Sequence, residues 1–230
     1  HLWEHYAFGG DKSYLETKGY PIMKEAAEFW LENMVEYQKH FIIAPSVSAE
    51  HGIEMKNGSP VDYSTANGEQ TAGRIFTLPA YQDIEMVYDL YTHVIKASEC
   101  LGIDSAFREK VTIARNKLLP LKIGRYGQLQ EWIDDVDNPR DHHRHIAHLY
   151  ALYPGNMISY SQTPALALAV KKSLEMRGKG KFGERWPHTG GNWSMAWRTA
   201  LWTRLYEGDQ AIGTFNQMIK ESGYENMMSN

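Results

Sequence analysis

The positions most able to do chemistry crowd into one stretch, IGRYGQLQEWIDDVDNPRDHHRHIAHLYALYPG, residues 123–155. Gly124, Gly127, Pro139, Pro154 and Gly155 interrupt any long helix there, which puts Gln128, Gln130, Glu131, Trp132, Arg144 and His145 on loops or short strands. Polar groups on loops held by a rigid scaffold are where function concentrates. Within the stretch, HHRHIAH gathers His142, His143, Arg144, His145 and His148. The spacing of His145 and His148 can bring two imidazoles onto one metal ion. No Cys or His-Glu-x-x-His pattern accompanies them, however, and a guanidinium in the middle of the run repels a dication, so no metal is expected. A planar guanidinium fork beside imidazoles suits the gripping of hydroxyls or carboxylates. The plainer alternative for Arg144 is a structural ion pair with Asp134 or Asp135.

A second segment, APSVSAEHG (44–52), sets Glu50 in a loop of Pro, Ser and Gly rather than on a charged helix face. Such a carboxyl is a candidate proton donor. Folding the loop over an aromatic pocket would desolvate it and lift its pKa toward working pH, as a general acid requires. A capping or surface role is the alternative. Asp83 ranks behind it, because at the start of a helix it is expected to satisfy free backbone N–H groups and the helix dipole. Seven Trp and fourteen Tyr occur in the chain, and Trp132, Trp186 and Trp193 fall outside the helical core pattern. Aromatic faces stack on the apolar faces of sugar rings, although core packing is the commoner fate of a Trp. GERWPHTGGNWSMAW (183–197) reads as a loop feeding an aromatic-studded helix N-terminus into the same centre.

The elements that must position these groups are mostly helical. HLWEHYAF has helical apolar spacing, Asp11 offers an N-cap after Gly9 and Gly10, and Pro21 suits the first turn of a long helix. In that helix Ile22, Ala26, Phe29, Trp30, Met34 and Tyr37 recur at spacings of three and four and are expected to be buried. Residues 41–80 lack this period and read as a long functional loop. Ile84, Val87, Tyr88, Tyr91, Val94, Ile95 and Leu101 mark a second long helix ending at Gly102. Asp104 caps a third to about Leu119, and further helices cover about Pro164–Met176, Trp193–Tyr206 and Asp209–Ser222. Helix, Gly and then Asp within two residues recurs at Gly10, Gly102 and Gly208, the punctuation of helical hairpins. Paired helices around a common centre follow, a solenoid or a closed α/α toroid, with the lack of a fixed repeat favouring the toroid.

Composition excludes several classes. A formal net charge of −4 leaves no electrostatic footprint for nucleic acid. No apolar run approaches the roughly 18 residues of a membrane span, and no leader opens the chain. The single Cys100 excludes an intrachain disulfide and reads as a core thiol. With 230 residues and 43% hydrophobic content, one domain or part of a larger one is the expectation. The chain begins inside a helix and ends on GYENMMSN, which closes nothing, so a fragment of a longer protein is expected.

Five segments in order resemble the motif series of glycoside hydrolase family 95, the α-L-fucosidases and related α-L-galactosidases: WEHYAFGGD (3–11), APSVSAEHG (44–52), YGQLQEWIDDVDNP (126–139), HRHIAHLYALYPG (143–155) and GGNWSMAWRTALWTRL (190–205). The resemblance implies an all-α fold, an (α/α)6 toroid of helical hairpins of which residues 1–230 form an incomplete part, with short β or irregular loops at the site. It implies an inverting mechanism, no cofactor, and an oligosaccharide or glycoconjugate substrate with a terminal α-L-fucosyl or α-L-galactosyl residue. Glu50 matches the Glu of the family's Ser-Pro-Glu loop and would be the general acid. Arg144 and His145 would bind sugar hydroxyls, and Glu131, Trp132 and Trp193 complete the expected substrate-binding set. Ala49 replaces the family's usual Pro and Ala147 a common Ser, which bears on loop shape and substrate choice. The family's water-activating Asn residues and its Asp base have no matching segment here, so the isolated chain is expected to show no turnover. The alternative is a helical carbohydrate-binding or scaffold protein derived from such a barrel.

Overall fold

The computed structural model describes residues 1–56, 59–60, 73–75, 79–178 and 191–222. They divide into two compact units, His1–Ala44 with Asp83–Pro120, and Pro45–Gln82 with Leu121–Asn230. Helices carry most of the chain and the strands are short, in agreement with the all-α expectation.

The first unit contains α1 (Leu2–Gly9), α2 (Lys12–Tyr14), a π-helical turn (Leu15–Gly19), α3 (Tyr20–Asn33), the strands β1 (Val35–Tyr37) and β2 (His40–Ile42), nearly all of α4 (Tyr81–Leu101), and α5 (Ser105–Asn116). Its punctuation follows the sequence at Gly10 and Asp11 but not at Asp104. Gly10 closes α1 at φ 68, and the Asp11 carboxylate accepts the Tyr14 N–H at 2.9 Å. Asp104 occupies the N-cap position of α5 without capping it. Its carboxylate turns instead to Lys24 Nζ at 2.7 Å and the Tyr20 hydroxyl at 3.0 Å, where a full positive charge outbids a backbone N–H.

Two expectations for α3 are corrected. The buried stripe of α3 is Tyr20, Met23 and Ala27, whereas Ile22 and Phe29 are exposed. The helix carries two apolar stripes, and spacing alone does not choose between them. The helix also ends at Asn33: Tyr37 lies on β1, paired with His40 of β2 through a turn in which Gln38 and Lys39 take φ of 47° and 72°. Such turns usually announce themselves with Asn-Gly; Gln-Lys hides this one. Along α4 the expected Ile84, Val87, Tyr91, Val94 and Ile95 are buried. Cys100 is half-buried and shares a 2.7 Å hydrogen bond with the Tyr6 hydroxyl, so it is less enclosed than a core thiol.

The second unit holds a small antiparallel sheet, β3 (Ile53–Lys56) flanked by β4 (Ser59–Pro60) and β5 (Gly73–Ile75), and then α6 (Pro164–Arg177), α7 (Gly191–Arg204) and α8 (Gly208–Ser222). Helices α7 and α8 pack along each other as the Gly208–Asp209 punctuation expects. Between sheet and helices runs the irregular 121–163 segment, containing one 3-10 turn, Ala147–Leu149. What fixes this loop is a set of apolar anchors. Leu129, Ile146, Leu149, Leu152 and Ile158 are buried in one cluster with Val170 and Leu174 of α6, Leu201 and Trp202 of α7, and Leu205 just beyond it. Each such burial is worth roughly 1.5–3 kcal/mol, so the polar residues between anchors are held as firmly as if they stood on a helix. Gly124 is required where it is, because a Cβ there would collide with the Gln128 and Asp135 side chains.

Candidate active site

The acid-loop segment and the His-rich segment, distant in sequence, meet in the second unit. Glu50 Oε2 accepts hydrogen bonds from Arg144 Nη2 and from His145 Nε2, the latter at 3.0 Å. Arg144 is therefore paired with Glu50, and Asp135 is paired with Arg125, whose Nε lies 3.3 Å away. Helix α7 sets the position of Arg144: the Ser194 hydroxyl donates to its carbonyl at 2.8 Å. Trp193, one residue earlier, presents its ring edge-on to His145 at a centroid distance of 5.3 Å and is 61% exposed. An exposed carboxylate, a guanidinium, an imidazole and an open indole thus share one surface.

Glu50 is not the desolvated acid that the sequence led us to expect. Its side chain is 64% exposed. The hydrogen bond from His145 and the charge of Arg144 hold its carboxyl below the usual carboxylate range. Its backbone is unusual, with φ of 49°, a left-handed conformation that costs a non-glycine residue roughly 1–2 kcal/mol and persists only where the surroundings over-determine it.

Beneath this surface lies a buried charge network centred on Glu131, 1% exposed. Its oxygens accept from the Ser48 hydroxyl, from His51 Nδ1 at 2.9 Å and from Arg177 Nη2. Burial works to raise its pKa, but the charges of His51 and Arg177 outweigh burial and hold it well below the ordinary value. His51 is the counterpart: burial pulls its pKa down, and Glu131 and Asp141 raise it above the ordinary histidine value. Its other nitrogen, Nε2, is 2.5 Å from Asp141 Oδ2. Asp137 nearby is pushed up to about 7 by burial and by the negative charge of Glu131, while accepting from Gln128 Nε2 at 2.9 Å. His143 and His148 are pushed down to about 4, in both cases first by burial.

Glu131 is thus held by three protein donors, Ser48, His51 and Arg177. Trp132, 3% exposed, packs with Ile53 and Ala80 and beside the His51 ring, which takes the core alternative for this Trp over the sugar platform. Of the expected substrate-binding residues, Arg144, His145 and Trp193 are brought together with Glu50, and Glu131 and Trp132 lie beneath them. Trp186 falls outside the described residues. The imidazoles engage separate partners: His145 faces Glu50, His143 stacks on His51 with ring centroids 4.6 Å apart, and His148 lies 3.6 Å from Glu131. A wider cavity of about 590 Å³ between α6, α7 and α8 is lined by Lys171, Glu175, Arg198, Trp202 and Glu207 among others and includes none of the Glu50 cluster.

Comparison with known proteins gives the geometry a lineage. The family model of the glycosyl hydrolase family 95 catalytic domain matches residues 1–230. The chain belongs to that family. Among curated relatives of this family 95 chain, alpha-L-fucosidase 2 of Arabidopsis thaliana is 33% identical over the whole chain and 26% of the relative's length. A probable alpha-fucosidase A of Aspergillus niger is 31% identical over 98% of the chain and 27% of its own length. The family 95 chain therefore spans about a quarter of these relatives.

Sequence reasoning missed His51, Asp137, Asp141 and Arg177 as members of the centre. His51 and Asp141 had a signal, since one follows Glu50 directly and the other opens the HHRH run. Arg177 had none, because a basic residue in the last turn of a helix is routine.

Proposed function

We propose that the protein carrying this chain hydrolyses glycosides with a terminal α-L-fucosyl, or the related α-L-galactosyl, residue, and that Glu50 donates the proton to the leaving oxygen. The observation that carries the reading is the convergence of Glu50, Arg144, His145 and Trp193 on one accessible surface. Arg144 and His145 supply donors for ring hydroxyls, and Trp193 supplies a flat apolar face for the sugar ring. The names of the relatives favour the fucosyl substrate.

Proton donation needs a carboxyl that is neutral at working pH. Sugar hydroxyls that accept from Arg144 and His145 would draw both donors off Glu50, and a ring lying over Trp193 would exclude water from it. Both changes raise the Glu50 pKa. An inverting reaction also needs a base roughly 6.5–9.5 Å from the acid, with a water between them. Glu131, Asp137 and Asp141 are buried or nearly so and are engaged by protein donors, so none of these three is the base in this reading, and the resemblance to the family puts the base outside residues 1–230.

The test is Glu50→Gln in the full-length protein. It keeps the shape but cannot donate a proton, so kcat on a fucosyl disaccharide should fall roughly 10²–10⁴-fold. On α-L-fucosyl fluoride, whose leaving group needs little protonation, the loss should be much smaller. Equal losses on the two substrates would remove Glu50 from the acid's role. A wild-type protein that binds fucosides with no turnover would favour the carbohydrate-binding alternative.

A further inference from the structure

The strained backbone at Glu50 must be held by something, and its neighbours show how. The Ala49 N–H donates to Gln82 Oε1 at 3.1 Å, and the His51 N–H to the Ser48 carbonyl at 3.0 Å. These bonds tether the loop on each side of Glu50. The His51 ring then spans two carboxylates, Glu131 at 2.9 Å and Asp141 at 2.5 Å.

Asp141 does more than complete that span. Its second oxygen, Oδ1, accepts the backbone N–H of His143 at 2.8 Å, and His143 Nδ1 in turn accepts the N–H of His145 at 3.2 Å. The His143 ring lies flat on the His51 ring, at an interplanar angle of 17°. One carboxylate therefore holds the residue adjoining the acid with one oxygen, and with the other it holds the turn from which Arg144 and His145 project. Arg177 Nη1, 3.8 Å from Oδ2, supports its charge from behind.

We infer that Asp141 is a positioning residue for the glycosidase reaction, bridging His51 and the His143 backbone so that Glu50, Arg144 and His145 keep one register. The inference rests on the acid role proposed for Glu50. Asp141 lies outside the exposed Glu50 cluster and acts through the two segments it ties.

The experiment compares Asp141→Ala and Asp141→Asn with wild type and with Glu50→Gln, in the full-length protein, on a fucosyl disaccharide and on α-L-fucosyl fluoride. A displaced acid costs most where the leaving group needs a proton. Asp141→Ala should lower kcat on the disaccharide roughly 10²-fold, the scale of an ångström's misplacement, with kcat losses within about fivefold on the fluoride and a rise in KM on both substrates as Arg144 and His145 lose register. Asp141→Asn keeps one acceptor and should fall between Ala and wild type. Equal losses on both substrates, the sign of fewer folded molecules, would overturn the inference, as would unchanged kinetics. Where Asp141→Ala does not fold, the same ratio is read on Asp141→Asn and on His51→Gln, with the same two outcomes deciding. If Glu50→Gln shows leaving-group dependence and the Asp141 variants do not, the positioning role alone fails. If Glu50→Gln shows none, the acid reading fails and takes the positioning role with it.

Discussion

Replacing Arg177 with methionine should unbalance the charge at the buried centre of the second unit. At neutral pH the centre holds two carboxylates, Glu131 and Asp141, both kept ionised by their cationic neighbours, against two cations, His51 and Arg177. Asp137 titrates at about 7, and His143 and His148, at about 4, are neutral. Methionine preserves most of the arginine stem, so little packing is lost, but Glu131 keeps its burial and loses its guanidinium. Removing one partner of a buried pair costs about 3–5 kcal/mol, because the other charge is left uncompensated. The loss should depend on pH. Burial and the charge of Arg177 both depress His148, which lies 3.6 Å from Glu131. In wild type its folded pKa, about 4, is below its unfolded value, so His148 costs stability as pH falls from 6.5 toward 4. Without Arg177 that pKa rises, the cost shrinks, and a protonated His148 replaces part of the missing charge. Urea denaturation of wild type and variant, followed by tryptophan fluorescence, should therefore show a larger difference at pH 8 than at pH 5. A loss under about 1 kcal/mol, or the same loss at both pH values, would refute the idea that this centre is held by charge balance.

Two further outcomes follow from the same geometry. Asp137 has a folded pKa of about 7 against an ordinary 3.8, so the stability it contributes is complete below the unfolded value and disappears as pH rises through 7. Asp137→Asn removes that dependence and should gain on wild type between pH 4 and pH 8 by up to about 4 kcal/mol; urea midpoints across that range check it, and a flat difference sinks it. Trp193→Ala should lower kcat/KM on fucosides by roughly 1–2 kcal/mol with the melting temperature unchanged, whereas Trp132→Ala should cost roughly 3–5 kcal/mol of stability. Comparable effects of the two changes on melting would mean that the surface and core assignments of these Trp are mistaken.

The helices were legible because periodicity and Gly-Asp punctuation are local properties, and the ends of α1, α4 and α6 fall within a residue or two of where the sequence puts them. The choice of buried stripe on α3 was not legible, since it depends on neighbours that a period does not name. At the site, Glu50, Arg144 and His145 were readable as residue types in loop settings, and their pairing was not: Arg144 lies 94 residues from the carboxylate it grips. Glu131 shows the same limit from the other side. Its sequence neighbourhood looks like that of a ligand-binding carboxylate, and only the arrival of His51 and Arg177, 80 and 46 residues away, turns it into a buried anchor.

Glu50 and Glu131 are the same functional group put to different uses by what surrounds them. Glu131 has an interior position, three protein donors on its two oxygens, and a pKa held down by the buried charges of His51 and Arg177. Glu50 has two hydrogen-bond donors, the Arg144 guanidinium and the His145 imidazole, on an open surface, and sugar hydroxyls compete for such donors. Its pKa is therefore adjustable, and the groups that adjust it are those proposed to bind the substrate. A carboxyl held permanently neutral by burial would offer a proton at any time. One held ionised by Arg144 and His145 gains its proton only as a sugar takes those two side chains, which couples substrate recognition to proton donation in a single set of contacts. For that coupling to work, Glu50 must stay in reach while its partners change, and the rigid frame of His51, Asp141 and Glu131 behind it is the part of the structure that can keep it there.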